Sequence, residues 1–390
     1  MAPSCDDVGD GRLELDPGAE PQIHPAAAWD GEALQLVWNG PRDPDSGNFQ
    51  VLRRRVYCDG TMDDAQVVDG DATTNNVDPA VAVSGDRVLA AWQADSGASP
   101  YNLSIGVAPL PLTGDPDRPW APLEMQRADG PYEGNAWMPR LAPEPGGFVL
   151  AGSRGIDSIG RFQSFVQTLE LDGAPWGASE DVNLEFEVSQ VEPALGLRAD
   201  RTRVVAWEER PDEGDNRVVW RELGPDGFGP MGDAAGLATQ EDFGVLEKVA
   251  LAVEPTEREA VVFVAHGGAD IDVTLEVVDR GDGTPGPTAR LGEVGETDHT
   301  PAVVLGPDGG VVIWHQVVSG LSNELLVQPF RLEGDPVEEI VLGEVVTVVD
   351  EAVAPYPPSI TPVGDGLWFL AWSEGQSPAL RLAGRFLRIE

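Results

Sequence analysis

The chain has four histidines: His24, His266, His299 and His315. Each sits beside a recurring Pro or at the end of a recurring apolar strand. Asp270 and Asp298 are close in sequence to three of them. Imidazoles with carboxylates suit Zn²⁺, Cu²⁺, Ni²⁺ or Fe²⁺. A second set is acidic: Asp78, Glu192 and Glu247 occupy the same position relative to their strands as His24 does. Converging carboxylates suit Ca²⁺, which takes several oxygen ligands. The plainer reading of both sets is that polar residues belong at loop mouths. The cofactor expectation is therefore Ca²⁺, a transition metal, or none.

Other chemistry is excluded or left open. No G-x-S-x-G elbow, H-E-x-x-H or phosphate loop occurs. DDVGDG at Asp6–Gly11 lacks the closing Glu of a calcium loop. A carboxylate pair for glycoside hydrolysis is a spatial arrangement, so spacing alone leaves it open. The two cysteines, Cys5 and Cys58, form no zinc-binding spacing.

The charge balance is extreme, with 67 acidic against 25 basic residues, a net charge of −42, and Lys248 the only lysine. Such a field repels nucleic acid and anionic membranes, and suits cations, basic partners or high salt. No run approaches the ~18 apolar residues of a membrane helix. Met1–Asp16 is polar and acidic, unlike a signal peptide.

The elements that must position these residues come from an internal repeat. A Pro opens an apolar strand, a Gly- or Asp-containing turn follows, and a second apolar strand ends in Trp. Pro25–Trp38 and Pro79–Trp92 show the pattern, as do Pro193–Trp207, Pro301–Trp314 and Pro358–Trp372. The third copy, from Pro139, has Gly152 in place of Trp, and the fifth opens on Lys248 in place of Pro. The openers at 25, 79, 139, 193, 248, 301 and 358 lie 53 to 60 residues apart. After each Trp strand comes an alternating segment, then a weaker fourth strand. No helical period is present. Four short antiparallel strands per period predict an all-β, seven-bladed β-propeller spanning 1–390 as one domain. The repeated Trp reads as packing between blades.

The last copy ends after its third strand. Residues 11–16, GRLELD, supply a spare strand behind an N-terminal tail of 1–10. This strand is expected to complete the seventh blade and protect its edge. Cys5 and Cys58 would then meet on neighbouring blades as a disulfide, which implies an oxidising compartment. A lipid-modified Cys5 is the alternative.

The P-x-φ-x…G-x-x-φ-φ-x-W pattern (φ apolar) resembles the repeats of secreted bacterial propellers of the sialidase-like type. The resemblance is one of repeats and covers nearly the whole chain. It implies a secreted, periplasmic or cell-surface propeller. The sialidase Asp-box and Arg-Ile-Pro opening are absent, the nearest strings being Gln22-Ile23-His24-Pro25 and Pro139-Arg140-Leu141. No catalytic residue carries over.

Propellers place function on the face entered by the first strand and left by the second. That puts the residues before the openers and after the Trp strands at a channel mouth. The expected function is non-catalytic: a monomeric binding or scaffold module for a glycan, peptide or protein. Trp137, Tyr356, Asn39, Gln93 and Glu208 are the expected contacts. The alternative is an enzyme, with a metal held by His266, His299 and His315 or with a carboxylate-based glycosidase site. A purely architectural surface protein is the third reading.

Overall fold

The computed structural model describes residues 5, 11–16, 21–41, 47–69, 74–95, 103–112, 121–122, 126–127, 130–131, 135–155, 161–182, 188–211, 216–224, 227–239, 249–254, 261–267, 272–279, 286–292, 297–306, 309–319, 322–353, 356–364, 366–376 and 379–388. Among these residues the regular structure is β throughout, with no α-helix. The chain divides into two compact units. One comprises Met1–Gly160, Phe165–Asp181 and Ser359–Glu390, the other Arg161–Ser164 and Val182–Pro358.

In the first unit the opening repeat folds as Ile23–Trp29, Leu34–Pro41, Phe49–Val56 and Gln66–Val67, in that order across one sheet. The second repeat gives Asn75–Ser84, Arg87–Asp95, Leu103–Leu110 and Ala121–Pro122. The third gives Ala136–Glu144, Gly147–Gly155, Phe162–Glu170 and Glu180–Asp181. The last repeat contributes Ser359–Gly364, Leu367–Glu374 and Arg381–Arg388. As expected, the N-terminal strand Leu13–Asp16 pairs antiparallel with the last of these and supplies its missing neighbour. The Cys5–Cys58 disulfide forms, with its Cα atoms 5.1 Å apart.

The second unit carries the fourth repeat (Ser189–Leu197, Arg203–Arg210, Asn216–Gly224, Gly227–Thr239) and the degenerate fifth (Val249–Val253, Val261–Gly267, Asp272–Asp279, Thr288–Arg290). The sixth begins with Thr297–Gly306 and Gly309–Ser319. Its third strand, Ser322–Gly334, is long enough to take two partners: Val337–Leu342 along its end and Val346–Val353 along its start.

This departs from the expectation of seven separate blades. Seven repeats are present in the sequence, but among the described residues the sheets of four or more strands number six. The physical reason lies in the doubled outer pairing of Ser322–Gly334, whose length takes two partners, so strand pairing does not stop at the four strands that one repeat supplies. The sequence pattern counts repeats; it does not see which edges remain open.

The repeated tryptophans are core residues, as expected. Trp38, Trp92, Trp207, Trp314 and Trp372 are 0–1% exposed. Trp38 clusters with Leu15, Phe369 and Ala371, so it packs the first repeat's sheet against the last repeat. Trp314 clusters with Val273 and Leu275 of the preceding repeat. Trp92 lies directly across from Gly106, where an added Cβ would come within 2.6 Å of the indole. The glycine there makes room for the ring.

The Pro–Trp motif also has a backbone meaning. In the first repeat Ile23 pairs with Asn39 and Ala26 with Val37, so His24 and Pro25 together oppose Trp38. The same two-against-one bulge recurs opposite Trp92, Gly152, Trp207 and Trp314. A bulge tolerates proline, which has no N–H to give the ladder.

Candidate functional site

The bulge decides which way the entry residues point. His24, Asp78, Met138, Glu192 and Thr300 all have left-handed backbones, with φ between 48° and 55°. That conformation costs roughly 1–3 kcal/mol at a non-glycine residue and persists only where the surroundings enforce it. It is uncommon for any of these types and most costly for β-branched Thr300. These residues were expected in loops before the openers; they lie inside the first strands. Within each unit they gather polar chemistry.

In the first unit, His24 Nδ1 lies 2.8 Å from Asp78 Oδ1, and both side chains are about nine-tenths buried. The imidazole donates its Nδ1–H to the carboxylate. Burial pushes the Asp78 carboxyl up, but His24 and then Arg140 outweigh it and hold the carboxyl below its usual range. Asn39, fully buried, braces this pair: its Oδ1 accepts from the Asp78 backbone N–H at 3.0 Å, and its Nδ2 donates to the Asn76 carbonyl at 2.8 Å. Gln93 pairs with Val77 in the neighbouring ladder. Trp137 is half-buried beside Met138 and pairs with Ser153.

In the second unit, Glu192 and Glu208 are 3% and 0% exposed and share one guanidinium. Arg210 donates from Nη2 to Glu192 at 3.1 Å and from Nε to Glu208 at 3.1 Å. Asn216 Nδ2 donates to Glu208 at 2.7 Å. Two buried carboxylates on one strand pair thus face a single, partly exposed arginine.

His299 and His315 are direct cross-strand partners in the sixth repeat, with ring centroids 5.6 Å apart. His299 Nε2 lies 3.3 Å from Asn323 Oδ1, its Nδ1 lies 3.3 Å from Thr300 Oγ1, and that hydroxyl also contacts His315 Nδ1. An amide oxygen only accepts, so His299 carries its proton on Nε2. Thr300 then donates to His299 and accepts from His315 Nδ1–H. His315 Nε2 is left as a buried lone pair with no hydrogen-bond partner among the described residues. Burial lowers the pKa of both rings, most strongly that of His315.

The expected metal centre finds no support. Among the described residues no three His, Cys, Asp or Glu side chains gather to hold an ion. The reason is visible at His299, whose ring nitrogens are engaged by Asn323 and Thr300. His24 is engaged by Asp78 in the other unit. His266 lies in Val261–Gly267 opposite Val273, and its side chain is outside the described set. Glu247 lies outside the described residues altogether. Tyr356 is half-buried, beyond the end of Val346–Val353. Arg140, Arg210 and Asn323 were missed by sequence reasoning. The only available signal was their closeness to an opener or a Trp strand.

No family model matches the chain, and no curated protein does. Solved structures do. A Dyadobacter fermentans protein of unknown function is similar with a TM-score of 0.57 at 11% identity, over 97% of this chain and 98% of that one. The Penicillium chrysogenum alpha-L-arabinanase, complexed with arabinobiose, gives 0.53 at 12%, over 97% of each. A Hadza microbial sialidase gives 0.52 at 10%, over 92% of this chain and 73% of that one. The chain is an all-β propeller. At these identities the likeness is one of fold. No helix among the described residues is long and apolar enough to cross a membrane.

Proposed function

We propose that this propeller is a secreted or cell-surface carbohydrate-binding protein whose ligand is a neutral oligosaccharide held by the entry residues of the first unit, His24, Asp78 and Met138, with Asn39. The observation that carries this reading is the buried His24–Asp78 pair of the first unit, braced by Asn39. Polar groups held in fixed, partly buried geometry suit a polyhydroxylated ligand, since orientation comes from a few placed donors and acceptors. A net charge of −42 disfavours anionic glycans and nucleic acid. The disulfide supports an oxidising location. The arabinobiose-bound arabinanase supports the ligand class by fold analogy only.

Calorimetric titration with arabinobiose, other neutral disaccharides and a sialylated glycan tests it. At least one neutral sugar should bind, at least tenfold more weakly to Asp78→Asn. Binding of only the sialylated glycan, or of none, would overturn the proposal.

A second reading is glycoside hydrolysis by Glu192 and Glu208, favoured by two buried carboxylates gathered at Arg210. Release of reducing sugar from neutral glycans, abolished in both Glu192→Gln and Glu208→Gln, would move the conclusion to an enzyme.

A further inference from the structure

The first and third repeats build the same turn after their third strands. In the first, Val56 bridges Met62, the Tyr57 N–H bonds the Thr61 carbonyl, the Gly60 N–H bonds the Tyr57 carbonyl, and the Asp63 N–H bonds the Arg55 carbonyl. In the third, Leu169 bridges Pro175, the Glu170 N–H bonds the Ala174 carbonyl, the Gly173 N–H bonds the Glu170 carbonyl, and the Trp176 N–H bonds the Thr168 carbonyl. Even the small cap repeats: Asp59 accepts from the Thr61 N–H and Asp172 from the Ala174 N–H. Gly60 and Gly173 share a left-handed φ of 81° and 85°. The two turns match residue for residue, and Trp176 stands where the first repeat has Asp63.

That match separates what the fold needs from what it does not. The turn forms with an aspartate at this position, so an indole is not required to build it. Trp176 is nevertheless 69% exposed, while the repeated tryptophans are buried. It is also held in place. Pro175 precedes it with a fixed φ, its N–H is bonded, and the Gln167 amide donates to its carbonyl at 3.4 Å. An exposed aromatic carried on a fixed backbone needs little ordering to make a contact, and tryptophan is among the residues enriched at binding hot spots.

We infer that Trp176 is the platform of a second carbohydrate site, on which the C–H face of a neutral sugar ring stacks. The indole face is electron-rich and attracts polarised C–H groups. Its chain neighbours Gly177 and Ala178 are small and exposed, leaving the ring open to a flat ligand, and Asp172 and Glu180, before and after it in the chain, are exposed polar groups. A stable protein interface needs an apolar core with a polar rim over an area of about 1,000 Å² or more. One indole among small and acidic residues is not such a core. The carboxylates likewise disfavour an anionic glycan. The site lies at the far end of the sheet from Trp137. Glu144 pairs with Gly147 at the turn between the first two strands, and the Leu169 carbonyl lies beside Gly147. A strand of nine residues spans about 30 Å, so a ligand here does not touch the entry residues of its own sheet. Only the ligand class rests on the function proposed above.

Affinity electrophoresis through gels containing arabinan, xylan, galactan or dextran tests the site. Trp176→Asp copies the natural turn of the first repeat, and an unchanged unfolding midpoint will confirm that it folds. Wild type should be retarded in at least one gel. Trp176→Asp should lose at least tenfold in affinity for that polysaccharide, and Trp176→Phe should keep most of it. Equal retardation of wild type and Trp176→Asp, or no retardation in any gel, would overturn the second site. Equal retardation of those two with Asp78→Asn alone weakened would leave the entry-residue proposal standing.

Discussion

His24 Nδ1 and Asp78 Oδ1 meet at 2.8 Å although each belongs to a different repeat, because both sit at the same bulge in successive sheets. Asp78 is held below its usual carboxyl range when folded. The unfolded chain therefore binds more protons than the folded one in acid. The stabilisation is complete above about pH 3.9, the unfolded value, and is lost as pH falls through the lower folded value. Urea unfolding from pH 7 to pH 3 should show this decline in wild type and a flatter one in Asp78→Asn. Asp78→Ala, which leaves His24 facing an empty site, should cost about 3 kcal/mol at pH 7.

His315 gives a second acid-sensitive element, of different origin. Its ring is kept neutral by burial, next to His299. Above about pH 6.5 both folded and unfolded states carry a neutral ring, and no penalty arises. As pH falls below that, the unfolded chain gains a proton that the folded ring refuses, so stability drops until the folded value is reached. The loss of stability between pH 7.5 and pH 5 should be smaller in His315→Gln than in wild type. An identical loss would show that His315 takes up its proton in the folded state.

Gly106 should tolerate no side chain. A methyl there would sit 2.6 Å from the Trp92 ring, which is itself fully buried between strands. Overpacking of this kind costs about 1–3 kcal/mol. Gly106→Ala should lower the urea midpoint accordingly, and Gly106→Ala with Trp92→Phe should recover part of the loss.

The disulfide closes a sequence separation of 53 residues between the N-terminal segment and the first repeat. Loop-closure entropy for that length amounts to about 4 kcal/mol on the chain-entropy model. Cys5→Ser with Cys58→Ser should lose up to that amount. Hydrogen exchange should rise first along Leu13–Asp16, whose pairing with Arg381–Arg388 the disulfide secures.

The amino-acid sequence by itself determined the repeat, the strands, the buried tryptophans and the strand that completes the last repeat. These follow from alternation, turn residues and a shared register, all of which are local and recur seven times. The Cys5–Cys58 pairing was legible for the same reason, once the strands were placed. Other features belong to tertiary structure. X-Pro reads locally as extended chain, yet His24, Asp78, Met138, Glu192 and Thr300 turn left-handed because a bulge opposite the Trp position forces them. Sequence shows residue type and not orientation, so it did not reveal that register pairs His299 with His315 or that His24 meets Asp78. Seven repeats give six sheets of four or more strands among the described residues, because Ser322–Gly334 takes two outer partners, a matter of pairing beyond the repeat pattern. Trp176 was invisible among eleven tryptophans until its turn could be laid over that of Asp63.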